Sequence, residues 1–228
     1  MKYHFLLPFL FLTLTGEAQV TSFSIDSSKF IRPVMATLDS IYQQDQAPRL
    51  KFLDAVRRKE KAPAIDSLRK IMLQKDQENL RKVVSIIDQY GWLSPQKVGM
   101  NASQALFLVI QHADLATQKK YLSMIRAAEN NGEILSSNLA LLEDRINMRE
   151  GKKQIYGSQS FTDTHTGKLY FYPIAEPDHL EERRKSMGLI PMQEYAKLLN
   201  TAWNLEAYKE MLPEIEKLAA QRKFSTKS

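Results

Sequence analysis

The sequence predicts a mainly α-helical fold that carries one β-hairpin. Apolar residues recur at steps of three and four through most of the chain, as they do on one face of an α-helix. Residues 154–161 and 168–172 are instead rich in β-branched and aromatic residues, and a turn-rich connection joins them. No linker is long enough to divide the chain. We therefore expect a single domain over residues 30–222, with the hairpin packed against the helices because two strands are marginally stable alone.

The first helices are predicted from residue 33 onward. The apolar stripe of the first helix is continued by a carboxylate, Asp45, at helical spacing. Pro48 fits the first turn of a second helix, where its missing N–H leaves no bond unmade. Residues 64–90 form the longest periodic segment, and Gly91 follows it as a C-terminal cap.

The middle of the chain is expected to hold the most buried helix. Asn101 is a good N-cap, and residues 105–110 are apolar without a break, which is typical of a helix buried on all sides. Two amphipathic helices are predicted to follow, from Thr117 and from Ser137. The helix that contains residues 105–110 is therefore predicted to lie at the centre.

The C-terminal part of the chain has a different character. The strand over residues 154–161 contains Gly157, which indicates a bulge or a close approach of the backbone to another element. Short helices are predicted to begin at Pro177 and Pro191, because proline is favoured in the first helical turn. A last helix is expected from about residue 205.

The N-terminus has the pattern of a cleavable secretory signal over residues 1–18. Lys2 precedes a short apolar run, and small residues stand just before Gln19, where signal peptidase would cut. No other segment approaches the length of a transmembrane segment. We therefore expect an exported, soluble protein, periplasmic or extracellular, with a flexible leader over residues 19–29 and a polar tail over residues 223–228.

Composition excludes several classes of protein. The 43% hydrophobic and 25% charged residues are ordinary for a globular chain and argue against disorder. The chain has no cysteine, which excludes disulfides, thiolate nucleophiles and a lipid anchor on an N-terminal cysteine. The net charge of +6 comes from scattered basic groups without interleaved aromatics, so nucleic acid is not an expected partner. Familiar catalytic motifs are missing, and neither a metal nor another cofactor is expected.

Two polar residues lie in the middle of the apolar stripe of the longest helix. At about 100° per residue, Asp76 and Asn79 both fall within the stripe and not at its edge. A buried carboxylate requires a cation, hydrogen-bond donors or a ligand. The candidate cations are Arg49, Arg145 and Arg184. The pair is either part of an internal salt bridge or part of a ligand-binding site.

The second candidate is the end of the central helix, where Gln111 and His112 are followed by Asp114. His112 is predicted to lie on a core-facing side of the helix, so it is either a hydrogen-bonded core residue or a catalytic base. Asp114 can orient the imidazole. A carboxylate at a helix C-terminus is disfavoured by the helix dipole, which favours a specific role for it.

The third candidate is the first strand of the hairpin. Alternation places Tyr156 on one face, and it places Gln159 on the other face, where the amide would be buried. An ordinary edge strand is the alternative interpretation. We therefore hold both residues as candidate ligand contacts.

Seven short segments of the chain share their order and residues with a known family. They are residues 45–49, 76–79, 90–92, 111–114, 144–145, 154–159 and 183–189. These segments resemble the signature of an uncharacterised bacterial domain family (domain of unknown function 6624), above all in the Gln-His-Ala-Asp and Gln-x-Tyr-Gly-(Ser/Thr)-Gln motifs. The resemblance implies exported or cell-associated bacterial proteins of unassigned activity. It also implies one common site for His112, Asp114, Asp144, Arg145, Tyr156 and Gln159.

Two functions remain open for such a site. In the first, a polar pocket around His112 binds a small molecule, a peptide or a glycan derived from the cell envelope. In the second, the protein is a hydrolase or transferase that acts on an envelope substrate, with His112 as a general base oriented by Asp114 or Asp144.

In that catalytic alternative, Arg145 or Arg184 binds an anionic group and Gln159 donates to a developing oxyanion. A third interpretation makes all these groups a buried structural network. Because no recognisable nucleophile is present, we favour binding. The predicted catalytic residues are His112, Asp114 and Asp144. The predicted ligand-binding residues are Asp76, Asn79, Gln111, Arg145, Tyr156, Gln159 and Arg184.

Overall fold

A computed structural model describes residues 19–163 and 165–225 of the protein. Most of these residues are helical, and two short antiparallel strands form a hairpin. The mainly α fold with one hairpin is therefore confirmed. The predicted signal peptide, residues 1–18, and the end of the predicted tail, residues 226–228, lie outside the described residues.

The helices of the N-terminal part form a bundle around α4. Their bounds are α1 Arg32–Arg57, α2 Ala62–Tyr90, α3 Pro95–Val98, α4 Met100–His112, α5 Leu115–Asn130 and α6 Ser136–Glu150. As predicted, α4 is central: α1, α2, α5 and α6 all pack against it. Leu106 and Ile110 on this helix are completely buried. The helix begins after Gly99, not at the expected cap Asn101, because the positive φ of Gly99 turns the chain directly from α3 into α4.

The C-terminal part holds the hairpin and shorter helices. Their bounds are β1 Ser160–Thr162, β2 Leu169–Phe171, α7 Leu180–Ser186, α8 Met192–Leu198 and α9 Leu205–Ser225. Single 3-10 turns precede α1 and α7, at Ser27–Lys29 and Pro177–His179.

Pro48 does not begin a new helix, which corrects the prediction. It lies inside α1, and the helix continues for two more turns beyond it. A proline inside a helix removes one backbone hydrogen bond and crowds the preceding turn. Arg49, the next residue, donates from its Nη1 to the Asp45 carbonyl oxygen at 2.9 Å. The side chain of Arg49 is thereby directed back along α1 towards Asp45.

The first predicted strand is also shorter than expected. Only residues 160–162 pair with the second strand, in the register Phe161 to Tyr170, while residues 154–159 form a loop. The alternation of faces expected for Tyr156 and Gln159 is therefore wrong, although Gln159 is buried as expected. The physical reason is that backbone N–H groups of this loop donate to a buried carboxylate of α6 and not to a neighbouring strand.

Two hydrophobic clusters organise the described part of the chain. The first lies among α1 to α6 and includes Leu38, Ile41, Val83, Leu106, Ile125 and Leu142. The second joins the hairpin to α7, α8 and α9 and includes Phe161, Phe171, Ile174, Leu180, Met192 and Ile215. The start of the predicted leader lies against α6, since Val20 donates to Ser136 Oγ and accepts from the Ser136 N–H. Among residues 19–163 and 165–225, no helix has both the length and the apolar character needed to cross a bilayer.

Candidate functional site

A cleft of about 410 Å³ opens between the two hydrophobic clusters. Its walls come from α4, α6, the loop before β1 with the first residue of that strand, and one residue of α8. The polar residues that line it are Gln104, Gln111, His112, Asn138, Arg145, Ser158, Gln159, Ser160 and Tyr195. Phe107, Leu108 and Leu141 form an apolar floor. Among the described residues, the lining contains one arginine and one histidine but no carboxylate, so the cleft is suited to an anion.

His112 lies at the end of α4, and its side chain reaches the edge of the cleft. Its Nδ1 is 3.0 Å from Oδ1 of Asp45, which comes from α1 and is completely buried. An ionised carboxylate can only accept a hydrogen bond, so Nδ1 carries the proton in this pair. The other ring nitrogen, Nε2, has no hydrogen-bond partner among the described residues. An imidazole oriented in this way can accept a proton through Nε2.

Asp45 remains ionised in spite of its burial. Burial alone would raise its pKa, but the hydrogen bond and the charge of His112 outweigh it, and Arg49 and Gln46 add to the effect. The pKa of Asp45 is therefore lowered from its usual value. Gln46 Nε2 donates to Oδ2 at 2.7 Å, and Arg49 Nη1 lies 3.4 Å from Oδ1. Asp45 thus has partners on both oxygens.

Arg49 also joins this group to α2. Its Nη2 donates to Oδ1 of Asp76 at 2.7 Å, so one guanidinium bridges the two carboxylates. Asn79, one turn further along α2, is completely buried, and neither its Oδ1 nor its Nδ2 has a partner among the described residues. The predicted cation partner of Asp76 is therefore Arg49, from the adjacent helix.

The only set of metal-ligand type recognised in the described part of the chain is Asp45, Asp76 and His112, whose ligand atoms lie within 4.8 Å of one another. Arg49 contacts both carboxylates of this set, at 3.4 Å and 2.7 Å. The protein therefore supplies its own positive charge here. A divalent cation would bind only by displacing that guanidinium, which makes the set a poor metal site.

Arg145, on α6, is the cation of the cleft. Among the described residues it has no ion pair and no hydrogen bond, and its Nε is buried. Burial lowers the pKa of Arg145 to about 10, and repulsion from Arg149 and Arg49 adds to the decrease. Because this value is still far above neutral pH, the group stays positively charged. Arg145 is half-buried overall. A cation that is partly removed from water without a counter-charge is costly, and an anion in the cleft would offset that cost.

The loop that forms one wall of the cleft is held by Asp144 of α6. The completely buried carboxylate accepts from the N–H groups of Ile155 at 2.6 Å, Tyr156 at 3.0 Å and Ser158 at 2.9 Å. Burial raises the pKa of Asp144, although these donors oppose the change. Gly157 within the loop has a φ of +67°, and a Cβ there would lie 3.2 Å from Ile174 Cδ1. The close approach expected at Gly157 is therefore present.

Arg184 supports the same wall from behind. Its side chain is almost completely buried, and it donates to the carbonyl oxygens of Tyr156 at 2.6 Å and Ile190 at 2.8 Å. Gln154 closes the loop, since its amide accepts from the Gln159 N–H and donates to the Gln159 carbonyl oxygen. The wall is therefore rigidly hydrogen-bonded on its inner side.

The structure brings only part of the predicted site together. Gln111, His112, Arg145 and Gln159 line the cleft. Asp76 and Asn79 lie outside the lining, on α2. Asp144 and Arg184 hold the wall and do not line the cleft. Tyr156 is turned towards Glu143, whose Oε2 is 3.4 Å from the phenol oxygen. Burial, with the negative charge of Glu143, raises the pKa of Tyr156 to about 12.

The expected orienting residues of His112 need correction. Asp114 is the N-cap of α5 and accepts from the Thr117 N–H at 2.7 Å, so its carboxylate serves the next helix. The carboxylate of Asp144 accepts hydrogen bonds from the backbone N–H groups of the loop before β1 and forms no hydrogen bond with His112. Asp45 takes the role instead, although the predicted site does not include it. The sequence does indicate a special role for Asp45, because this carboxylate falls at a core-facing position in the apolar stripe of its helix.

Comparisons with known proteins place the chain in a family but not in a functional class. No curated protein and no solved structure matches it. The model of a "Family of unknown function (DUF6624)" matches residues 34–208, which confirms the resemblance noted in the sequence. Since this match spans well over half of the sequence, the chain belongs to the DUF6624 family.

Proposed function

We propose that the cleft binds a small anionic ligand, with the guanidinium group of Arg145 as its anchor. The observation that carries the proposal is the isolation of Arg145: among the described residues it has no counter-charge, and the cleft lining contains no carboxylate. A carboxylate or phosphate group forms two parallel hydrogen bonds with a guanidinium, and such charge-assisted bonds are the strongest polar contacts in proteins.

Neighbouring groups favour a ligand with further polar atoms. Gln111 Oε1 has no hydrogen-bond partner among the described residues. His112 offers Nε2, and Gln159 and Asn138 contribute amides to the lining. Binding sites for small molecules combine an apolar floor with a few such groups. The proposed ligands are therefore small molecules, or fragments of a peptide or glycan, that carry a carboxylate or a phosphate.

Hydrolysis or group transfer is the second candidate function. The observation in its favour is the pair of His112 and Asp45, in which a buried carboxylate orients an imidazole at the edge of the cleft. This arrangement is that of a general base, with Nε2 accepting the proton of an attacking water or hydroxyl group. Arg145 would then hold the anionic group of the substrate beside the base.

The test of binding is a ligand-dependent thermal shift. We expect the unfolding midpoint of the protein to rise with at least one member of a panel of phosphate, phosphate monoesters and mono- and dicarboxylates. Arg145→Met should weaken that binding about 10- to 100-fold, since a hydrogen-bonded charge contributes about 1.5–3 kcal/mol. Arg126→Met is the matched control, because Arg126 pairs with Glu143 at an exposed position outside the cleft.

An equal response of the protein and of Arg145→Met to every anion would contradict the proposal, as would no response at all. His112→Ala and Asp45→Asn separate the two functions. If the protein only binds, both variants weaken the shift modestly. If it is an enzyme, the protein also turns over chromogenic esters or phosphate monoesters, and both variants lose that turnover while they still bind the product anion.

The proposal includes export, because residues 1–18 carry the pattern of a cleavable signal. The ligand would then be met in the periplasm or outside the cell. We expect the intact mass of the protein recovered from cells to correspond to a chain that begins at Gln19. Cytoplasmic protein that retains Met1 would contradict this part of the proposal.

A further inference from the structure

The end of the α1–α2 hairpin, residues 50–73, lies outside the buried part of the bundle. On α1 the completely buried positions stop at Asp45, and on α2 they begin at Asn79. Between these limits only Ala55 is buried. We call residues 50–73 the hairpin end; it is helical and distinct from the β-hairpin formed by β1 and β2.

Large apolar side chains are exposed on the hairpin end. Five of the ten large hydrophobic residues that are exposed in the described part of the chain belong to it: Leu50, Leu53, Val56, Ile71 and Leu73. Leu50 is 64% exposed and Leu73 57%. The first three recur at steps of three on α1 and therefore share one side of that helix. Apolar side chains that are concentrated in this way indicate an interaction surface.

The same segment holds most of the net positive charge of the protein. It contains seven basic and three acidic residues, a net charge of +4 in a chain whose total is +6. Two of the acids already pair with arginines of their own helix, Asp54 with Arg58 and Asp66 with Arg69. The remaining bases form no ion pair with any described residue. They are Lys51, Arg57, Lys59, Lys61 and Lys70.

We propose that the hairpin end docks on an anionic membrane surface. Aliphatic side chains on a helix enter the interface between lipid headgroups and acyl chains, while lysine and arginine beside them attract anionic lipids. The hairpin end presents both groups on exposed helices. A second copy of the chain fits this surface less well, because a two-fold interface would bring two segments of charge +4 together. The inference does not depend on the function proposed for the cleft.

The test is sedimentation of the full chain with lipid vesicles. We expect it to bind vesicles of phosphatidylcholine mixed with phosphatidylglycerol, and to bind phosphatidylcholine alone far more weakly. The variant Arg57→Gln/Lys59→Gln/Lys61→Gln should bind the anionic vesicles about a hundredfold more weakly, since each basic residue contributes about 1 kcal/mol near such a surface. The variant Leu50→Gln/Leu53→Gln should weaken binding by about tenfold or more.

Leu198→Gln is the matched control, because Leu198 is a 72% exposed leucine on α8, remote in sequence from the hairpin end at residues 50–73. It should bind as the unaltered protein does, and circular dichroism should show that all variants are folded. Binding that is equal on neutral and anionic vesicles, or that survives both sets of substitutions, overturns the proposal. So does a concentration-dependent dimer that Leu50→Gln/Leu53→Gln dissociates, since the surface would then belong to a second copy.

Discussion

Replacement of Asp144 by alanine is expected to lower the free energy of unfolding by about 3–5 kcal/mol, because three buried hydrogen-bond donors lose their acceptor at once. Three backbone N–H groups, those of Ile155, Tyr156 and Ser158, donate to this carboxylate. In the variant they stay buried without an acceptor, and each such group costs about 1–3 kcal/mol before the chain relaxes. Urea denaturation followed by circular dichroism measures the change.

Asp114→Ala is the matched control for this prediction. Asp114 also accepts a backbone N–H, that of Thr117, but at the exposed start of α5. Loss of an N-cap of this kind costs about 1 kcal/mol. If Asp144→Ala were no more destabilising than Asp114→Ala, the wall of the cleft would have to be held by other contacts.

Asp45→Asn is expected to destabilise the protein by about 1.5–3 kcal/mol at neutral pH, because His112 and Arg49 lose a charged acceptor, while Arg49 keeps its ion pair with Asp76. The pKa of Asp45 is lower in the folded protein than the usual value of 3.8. Ionisation of Asp45 therefore contributes stability above that value, and the contribution is lost as the pH falls through the lowered pKa. The difference in stability between the protein and the variant should shrink below about pH 4.

Denaturation curves of both proteins across this pH range test the prediction. Asp54→Asn on the same helix is the control, since Asp54 pairs with Arg58 at an exposed position, where such pairs contribute little. A difference between the protein and Asp45→Asn that is constant from neutral to acidic pH would mean that the pKa of Asp45 is the same in the folded and the unfolded protein.

Most of the helical fold could be predicted from the sequence, because the periodicity of apolar residues and the capping residues at helix ends indicate the same helix boundaries. Gly91 caps α2 and Gly151 caps α6, each at the end of a periodic segment. The helix start predicted at Pro48 is wrong, since local propensity favours a proline at a helix start, whereas packing of α1 on α4 keeps one helix intact across it. Tertiary contacts can override a local preference in this way.

The candidate site could be predicted only in part. The sequence predicts four residues of the cleft, either as polar residues where the pattern requires an apolar one or through the family resemblance: Gln111, His112, Arg145 and Gln159. The hydrogen-bond partners of these residues depend on tertiary contacts, which the spacing of residues along the sequence does not determine. Asp45 lies 67 residues before His112 in the chain, and only the packing of α1 against α4 brings the two together.

Hydrogen-bonded partners in the site differ in how far apart they lie along the chain, and this difference affects the order in which the site assembles during folding. Asp144 contacts amides only 11 to 14 residues further along the chain, so the entropic cost of closing that loop is small. The bond between Asp45 and His112 closes a segment of 67 residues and requires α1, α2 and α4 to be in place. We therefore expect the wall around Ser158 to form early, while the imidazole acquires its orientation only when the bundle is complete. A partly folded chain would hold the loop but present a freely rotating His112.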